Sequence, residues 1–408
     1  MTVGEEGAPS RTARFLRDHA VLLVLAAFFL VRLPFLASFM THVDDVGVIW
    51  DVVSAEEQGI VSQVARVRHW TYAPAQFLPQ ALLLRLATDH EGLLFWGRLP
   101  SLVAWLIGLL LAHRLFRATY PERPWIADLL VAIQGVSWRG LLESSQGYNY
   151  ATTAFVAAAT LAFFLREARH LQASHRPLAS LPRLELAGVM ASGLALGCLS
   201  WITYQALFLM AGGFLALGLL VVAGRHWRAI PRLVALGVLA AWPVHIVHRI
   251  HLRHVAARGI ATWIPRSMTT PDGPLDTPGF LVRRWFEVVE NDVTFLPWGF
   301  GSAALATLVL AGILAGARRR FREGEPQRST DLAIVAVLVG IFVVFSAGPL
   351  LAAFPLSCTR HTYVLQVPIL LALGLSMDAV AVSMCTGLSL IHISEPTRLR
   401  RISYAVFC

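Results

Sequence analysis

Residues 91–111 read EGLLFWGRLPSLVAWLIGLLL, an apolar run broken by single polar residues and one proline. A helix crosses a bilayer with about 20 apolar residues at a rise of about 1.5 Å each. From Arg98 to residue 117 this stretch is that long. Further runs of crossing length lie near 20–40, 125–140, 150–166, 185–201, 203–223, 232–250, 297–316, 331–353 and 363–385. The pattern predicts an all-α polytopic membrane protein with about 10 transmembrane helices.

Composition agrees. Of 408 residues, 56% are hydrophobic and only 14% are charged, too apolar a balance for an ordinary soluble domain. Net charge is +9 and its basic side is entirely arginine, for there is no lysine. In a soluble protein such a balance would raise nucleic acid as a partner. Here the arginines cluster in short segments between apolar runs, as topology signals do, so no nucleic acid is expected. Cys198, Cys358, Cys385 and Cys408 show no metal or redox spacing. The first apolar run is too long for the core of a signal peptide and lacks a small-residue cleavage site, so it reads as the first span.

The arginine clusters orient the chain. Arg11, Arg14 and Arg17 precede the first span, and Arg114, Arg117 and Arg123 lie between the second and third. Arg166, Arg169, Arg176 and Arg183 follow the fourth, Arg225, Arg228 and Arg232 the sixth, and Arg318, Arg319, Arg320 and Arg322 the eighth. Every second short loop is arginine-rich, which predicts that those loops and the N-terminal residues 1–19 are cytoplasmic, in a multi-pass protein of the cell (inner) membrane.

Two long segments, 41–97 and 251–296, then fall outside. The first carries Asp44-Asp45 in MTHVDDVGVIWDVVS, residues 40–54. A carboxylate at the bilayer centre costs about 2.5–3.5 kcal/mol, which these two avoid at the outer end of the first span. Val46, Ile49, Trp50 and Val53 recur with helical spacing, predicting an amphipathic helix on the outer leaflet. A second external helix is expected after Pro79, through QALLLRLA.

Residues 388–408, LSLIHISEPTRLRRISYAVFC, resemble a translated sequencing-library adapter. The transmembrane domain is therefore expected over 20–387, with the natural chain truncated near Gly387.

Taken in order, the outer features are VRLPFL, Asp44-Asp45, TYAPAQFLPQALLLRL, FWGRLPSL, LLESSQGYNYATTAF and CTRHTYVLQVPILLAL. This order resembles the membrane glycosyltransferases of the GT-C superfamily, above all the bacterial protein-mannosyltransferase-like group of family 39. Relatives often read His-Pro-Pro where this chain has TYAPAQF, and carry a basic residue before the tyrosine of the ESSQGYNY stretch. The resemblance covers roughly residues 20–385. It implies a GT-C-like bundle that moves a sugar from a polyprenyl-phosphate carrier to an acceptor protein, lipid or glycan, outside the membrane and with inversion.

In-line attack needs a carboxylate facing the incoming hydroxyl, which aligns it and accepts its proton late. The resemblance gives that role to Asp44 or Asp45, the alternative being that one of them caps the amphipathic helix. Negative charge grows on the leaving phosphate, a task suited to arginine. Arg98, Arg360 with His361, and Arg258 are the candidates, with snorkelling to lipid headgroups as their other reading. Arg32 is read as a snorkelling or helix-packing residue. Glu143 and Tyr148 are candidates for sugar or acceptor hydroxyls, and Trp263 and Trp285 either stack on a sugar or anchor the interface. No cofactor is fixed by the sequence, a divalent metal being the one candidate. Some members hold a divalent metal at the acidic pair, and His245, His248, His251 and His254 form a run with a spacing of three, so a metal stays open. A transporter or lipid flippase, or a non-catalytic membrane protein, are the competing readings. A transporter would show broken helices in two matching halves and its polar cavity at mid-membrane.

Overall fold

The computed structural model describes residues 23–34, 36, 75, 77–137, 139–140, 144, 150–173, 182–253, 271, 273–293, 311, 327–351, 356 and 360–381. Among them there is no strand. The chain is all-α. Its helices are α1 (Leu23–Pro34), α2 (Phe77–Leu84), α3 (His90–Thr119), α4 (Pro124–Val136), α5 (Tyr150–Ala173) and α6 (Arg183–Cys198). They continue with α7 (Gln205–Gly224), α8 (Ile230–Val247), α9 (Thr277–Val293), α10 (Gln327–Leu350) and α11 (Thr362–Ala381).

Seven of the described helices are long and apolar enough to cross a membrane: α3, α5, α6, α7, α8, α10 and α11. They coincide with seven of the spans expected from hydropathy. The expected spans at 20–40 and 125–140 appear as the shorter apolar helices α1 and α4, and the one at 297–316 lies, but for residue 311, outside the described residues. Helix α4 stops at 13 residues because Ser137 leaves helical geometry, with ψ at 142°.

Two starts differ from expectation. Helix α3 begins at His90, about two turns before the span was expected to open. Asp89 is the reason: its Oδ1 accepts from the Gly92 amide at 2.6 Å, capping the first turn, and Glu91 meets the helix dipole there. Helix α2 begins at Phe77, so Pro79 sits in its first turn, not ahead of it. A missing N–H costs nothing where the helix has no partner for it.

The centre of the bundle is α5 and α11, with 67% and 78% of their spanning windows enclosed, against 28% for α6 and 22% for α8. The outer pair instead presents Leu184, Met190, Leu194, Val234, Val238 and Trp242 on its surface. Such a continuous exposed apolar band suits lipid, not water. Close helix contacts rest on small residues. At α6–α8 a side chain on Gly197 would come within 2.2 Å of the Ala240 carbonyl, so only glycine admits that approach.

The charged pairs that link one helix to another gather at one end, whereas Arg284 and Glu287 pair within α9. Asp128 accepts from Arg117 at 3.0 and 3.2 Å and lies 2.9 Å from His113. Arg123 pairs with Asp378 near the end of α11. Arg232, at the start of α8, grips the enclosed Glu167 of α5 with two bonds of 2.9 and 3.2 Å. These pairs share the chain ends that the arginine clusters occupy, so the bundle has one arginine-rich end and one opposite to it.

Candidate functional site

At the end opposite the charged pairs, an enclosed polar network joins α1, α3, the segment after α4, and α11. It begins with Arg32 in the last turn of α1. The side chain is only 5% exposed. Its Nη1 donates to Ser144 Oγ at 2.7 Å and its Nη2 to the Gly135 carbonyl at 2.8 Å. The guanidinium lies 3.8 Å from the Trp105 ring centre of α3 and 5.6 Å from that of Phe28, the two rings meeting edge to face at 6.3 Å. Gly135 makes this approach feasible, because any side chain there would strike the Phe28 ring. Of the two readings of Arg32, helix packing is what the structure displays.

Trp105 extends the network. Its indole N–H donates to the Tyr363 hydroxyl at 3.2 Å, on the first turn of α11. Gln366, on the same helix, donates to Ser137 Oγ at 2.8 Å, and that hydroxyl donates onward to the Gln134 carbonyl at 3.0 Å. The Gly140 amide closes the turn onto Ser137 Oγ at 3.1 Å. Hydrogen bonds of this kind, held away from water, fix a single arrangement of the helices that carry them.

Arg98 is fully enclosed, two turns inside α3. Its Nη1 donates to the Leu36 carbonyl at 2.9 Å, just past the end of α1. The arginine thus ties α3 to the chain that runs on, eight residues later, to Asp44. Gln80 of α2 reaches the Gly97 carbonyl at 2.9 Å and docks this short helix on the same part of α3.

The predicted site residues divide accordingly. Arg98 and Arg32 stand in this network. Arg360 and His361 open the 3₁₀ turn that leads into Tyr363. Asp44, Asp45, Glu143, Tyr148 and Arg258, like Trp263 and His254, lie outside the described residues. Trp285 is on α9, where it packs edge-on against Phe342 at 5.0 Å and donates to Ser346 Oγ at 2.9 Å. It holds α9 to α10. Ser137, Ser144, Tyr363 and Gln366 were not singled out from sequence, although polar residues within apolar runs are the signal that finds them.

The histidine run bends at its middle. Helix α8 widens into a π-helical turn over His248–Leu252, which rotates His251 inward. There it is enclosed, stacked 5.7 Å from Tyr204 and hydrogen-bonded through Nδ1 to the Tyr204 hydroxyl. Burial pushes the Tyr204 phenol well above its usual range, so it stays protonated. Among the described residues no three His, Cys, Asp or Glu side chains come together as a metal-binding group.

No protein-family model, curated protein or solved structure matches this chain.

Proposed function

We propose that this chain is an integral-membrane glycosyltransferase that moves a sugar from a polyprenyl-phosphate carrier to an acceptor hydroxyl on the extracytoplasmic side. The observation that carries the reading is convergence. Four stretches that the resemblance named separately, VRLPFL, FWGRLPSL, LLESSQGYNY and CTRHTYVLQV, each supply a residue to one enclosed network. Arg32 and Ser144 join the first to the third, Trp105 and Tyr363 join α3 to the fourth, and Arg98 reaches back to Leu36. By the arginine rule this end of the bundle is the outer one. The order of motifs along the sequence thus corresponds to a grouping in space.

On this reading Asp44 or Asp45 is the base, following eight or nine residues along the chain after Leu36, whose carbonyl Arg98 holds. Arg98 is a positioning residue, its guanidinium turned to the protein. The growing phosphate charge falls to Arg360, His361 or Arg258. A metal at the acidic pair would supply further charge stabilisation.

The test is Asp44→Asn and Asp45→Asn in membranes supplied with labelled polyprenyl-phosphate sugars. Loss of transfer in at least one variant is expected, whereas wild-type turnover in both ends the proposal. The labelled product identifies the acceptor.

A further inference from the structure

At the arginine-rich end, α3 and α5 enclose a groove of about 280 Å³. The two helices run in the same direction and touch at Gly108, where a side chain would come within 2.7 Å of the Phe155 amide. Beyond that contact the apolar wall contributed by α5 is built of Ala158, Ala159 and Ala162 and ends at Leu165, facing Leu111 and Leu115 of α3. Alanines opposite leucines leave a channel that the leucines alone do not fill. Along α5 it runs from Ala158 to Arg169, about 16 Å at a helical rise.

Three arginines stand around this groove: Arg114, Arg166 and Arg169. Arg114 and Arg166 are exposed, and Arg166 is steadied by Ser192 Oγ at 3.1 Å. Arg169 is half-buried, and its Nε and Nη2 are enclosed with no hydrogen-bond acceptor among the described residues. Glu167 accepts from Arg166 at 3.3 Å and from Arg232 at 2.9 and 3.2 Å, so this one enclosed carboxylate is shared between two guanidiniums. Arg114 and Arg169 have no carboxylate partner among the described residues, and they lie at the mouth of an apolar channel between α3 and α5.

We infer that this groove binds an anionic phospholipid of the adjacent leaflet, its phosphodiester at Arg114 and Arg169 and one acyl chain along the alanine wall. The chemistry requires both parts. A zwitterionic lipid carries its own ammonium beside the phosphate, and a free phosphate has nothing to place between Ala158 and Leu111. The site lies at the end of the bundle opposite Arg32 and Arg98, so it stands apart from the polar network on which the proposed transfer reaction rests.

Native mass spectrometry of the full chain in detergent measures it, with phosphatidylglycerol and phosphatidylcholine of equal chain length as probes. Wild type should bind the first phosphatidylglycerol well ahead of phosphatidylcholine. Each arginine at a membrane surface contributes about fivefold in affinity, so Arg114→Gln with Arg169→Gln should weaken phosphatidylglycerol about 25-fold. Ala162→Phe, which fills the channel from an exposed position, should weaken it without removing charge. Arg228→Gln, an exposed arginine of the same end outside the groove, should leave it unchanged. Equal binding of the two lipids overturns the inference. So does undiminished phosphatidylglycerol binding by Ala162→Phe, or competition by glycerol phosphate as effective as by the lipid. None of these readouts depends on sugar transfer.

Discussion

Replacing Arg32 by alanine removes a charge from inside the bundle and two hydrogen bonds with it. Each bond from a charged donor is worth about 1.5–3 kcal/mol, and a desolvated cation–π contact about 2 kcal/mol. The gross interaction of Arg32 with Ser144, Gly135 and Trp105 is therefore about 5–8 kcal/mol. Burying the guanidinium offsets several kcal/mol of that. A net loss of about 3 kcal/mol is expected on Arg32→Ala, because the Gly135 carbonyl and Ser144 hydroxyl are left enclosed without their donor. Thermal unfolding in detergent reads it as a fall in Tm of several degrees. Arg32→Lys should fall between, since an ammonium reaches one acceptor and cannot lie flat on the indole. A double-mutant cycle with Trp105→Leu isolates the ring contact, with an expected coupling of about 1–2 kcal/mol. An unchanged Tm in Arg32→Ala would refute this reasoning and return Arg32 to the lipid headgroups, where its loss costs little.

Further outcomes follow from the same geometry. Glu167→Gln strands Arg232 in a half-buried pair and should cost about 3 kcal/mol, read as a lower Tm that Arg232→Met added to it partly restores. Gly197→Ala drives a methyl group into the Ala240 carbonyl and should cost about 1–3 kcal/mol by parting α6 from α8, read by thermal unfolding. The Tyr204 phenol is held above its ordinary value of about 10 in the folded chain. Above that pH the unfolded phenol ionises while the folded one keeps its proton, so stability present below pH 10 declines as pH rises. Tyr204→Phe should flatten that decline in Tm measured from pH 9 upward, and an unaltered profile would remove burial as its cause.

Most of the fold could be read from hydropathy because span formation is a local matter. Twenty apolar residues bury their own backbone hydrogen bonds whatever surrounds them, so runs such as 203–223 and 331–353 appear as α7 and α10 near their expected limits. Charge patterning likewise found the arginine-rich end, since Arg117, Arg123 and Arg232 meet carboxylates there. Local rules also misplaced two boundaries. The start of α3 turned on a single cap at Asp89, and the start of α2 on where one proline is tolerated.

Partners across the bundle were another matter. Nothing in VRLPFL distinguishes a guanidinium that meets lipid headgroups from one that lies on an indole more than seventy residues away along the chain. Nor does FWGRLPSL reveal that its arginine faces inward to Leu36. Composition and periodicity determined that the chain forms α-helices long and apolar enough to cross a membrane, with a charged, arginine-rich end. Only the tertiary structure decided which polar residues share a network, that His251 turns to Tyr204, and that a groove opens between α3 and α5. The reason is range: helix formation and charge placement are settled within a few turns, whereas hydrogen bonds and cavities depend on how separate helices cross.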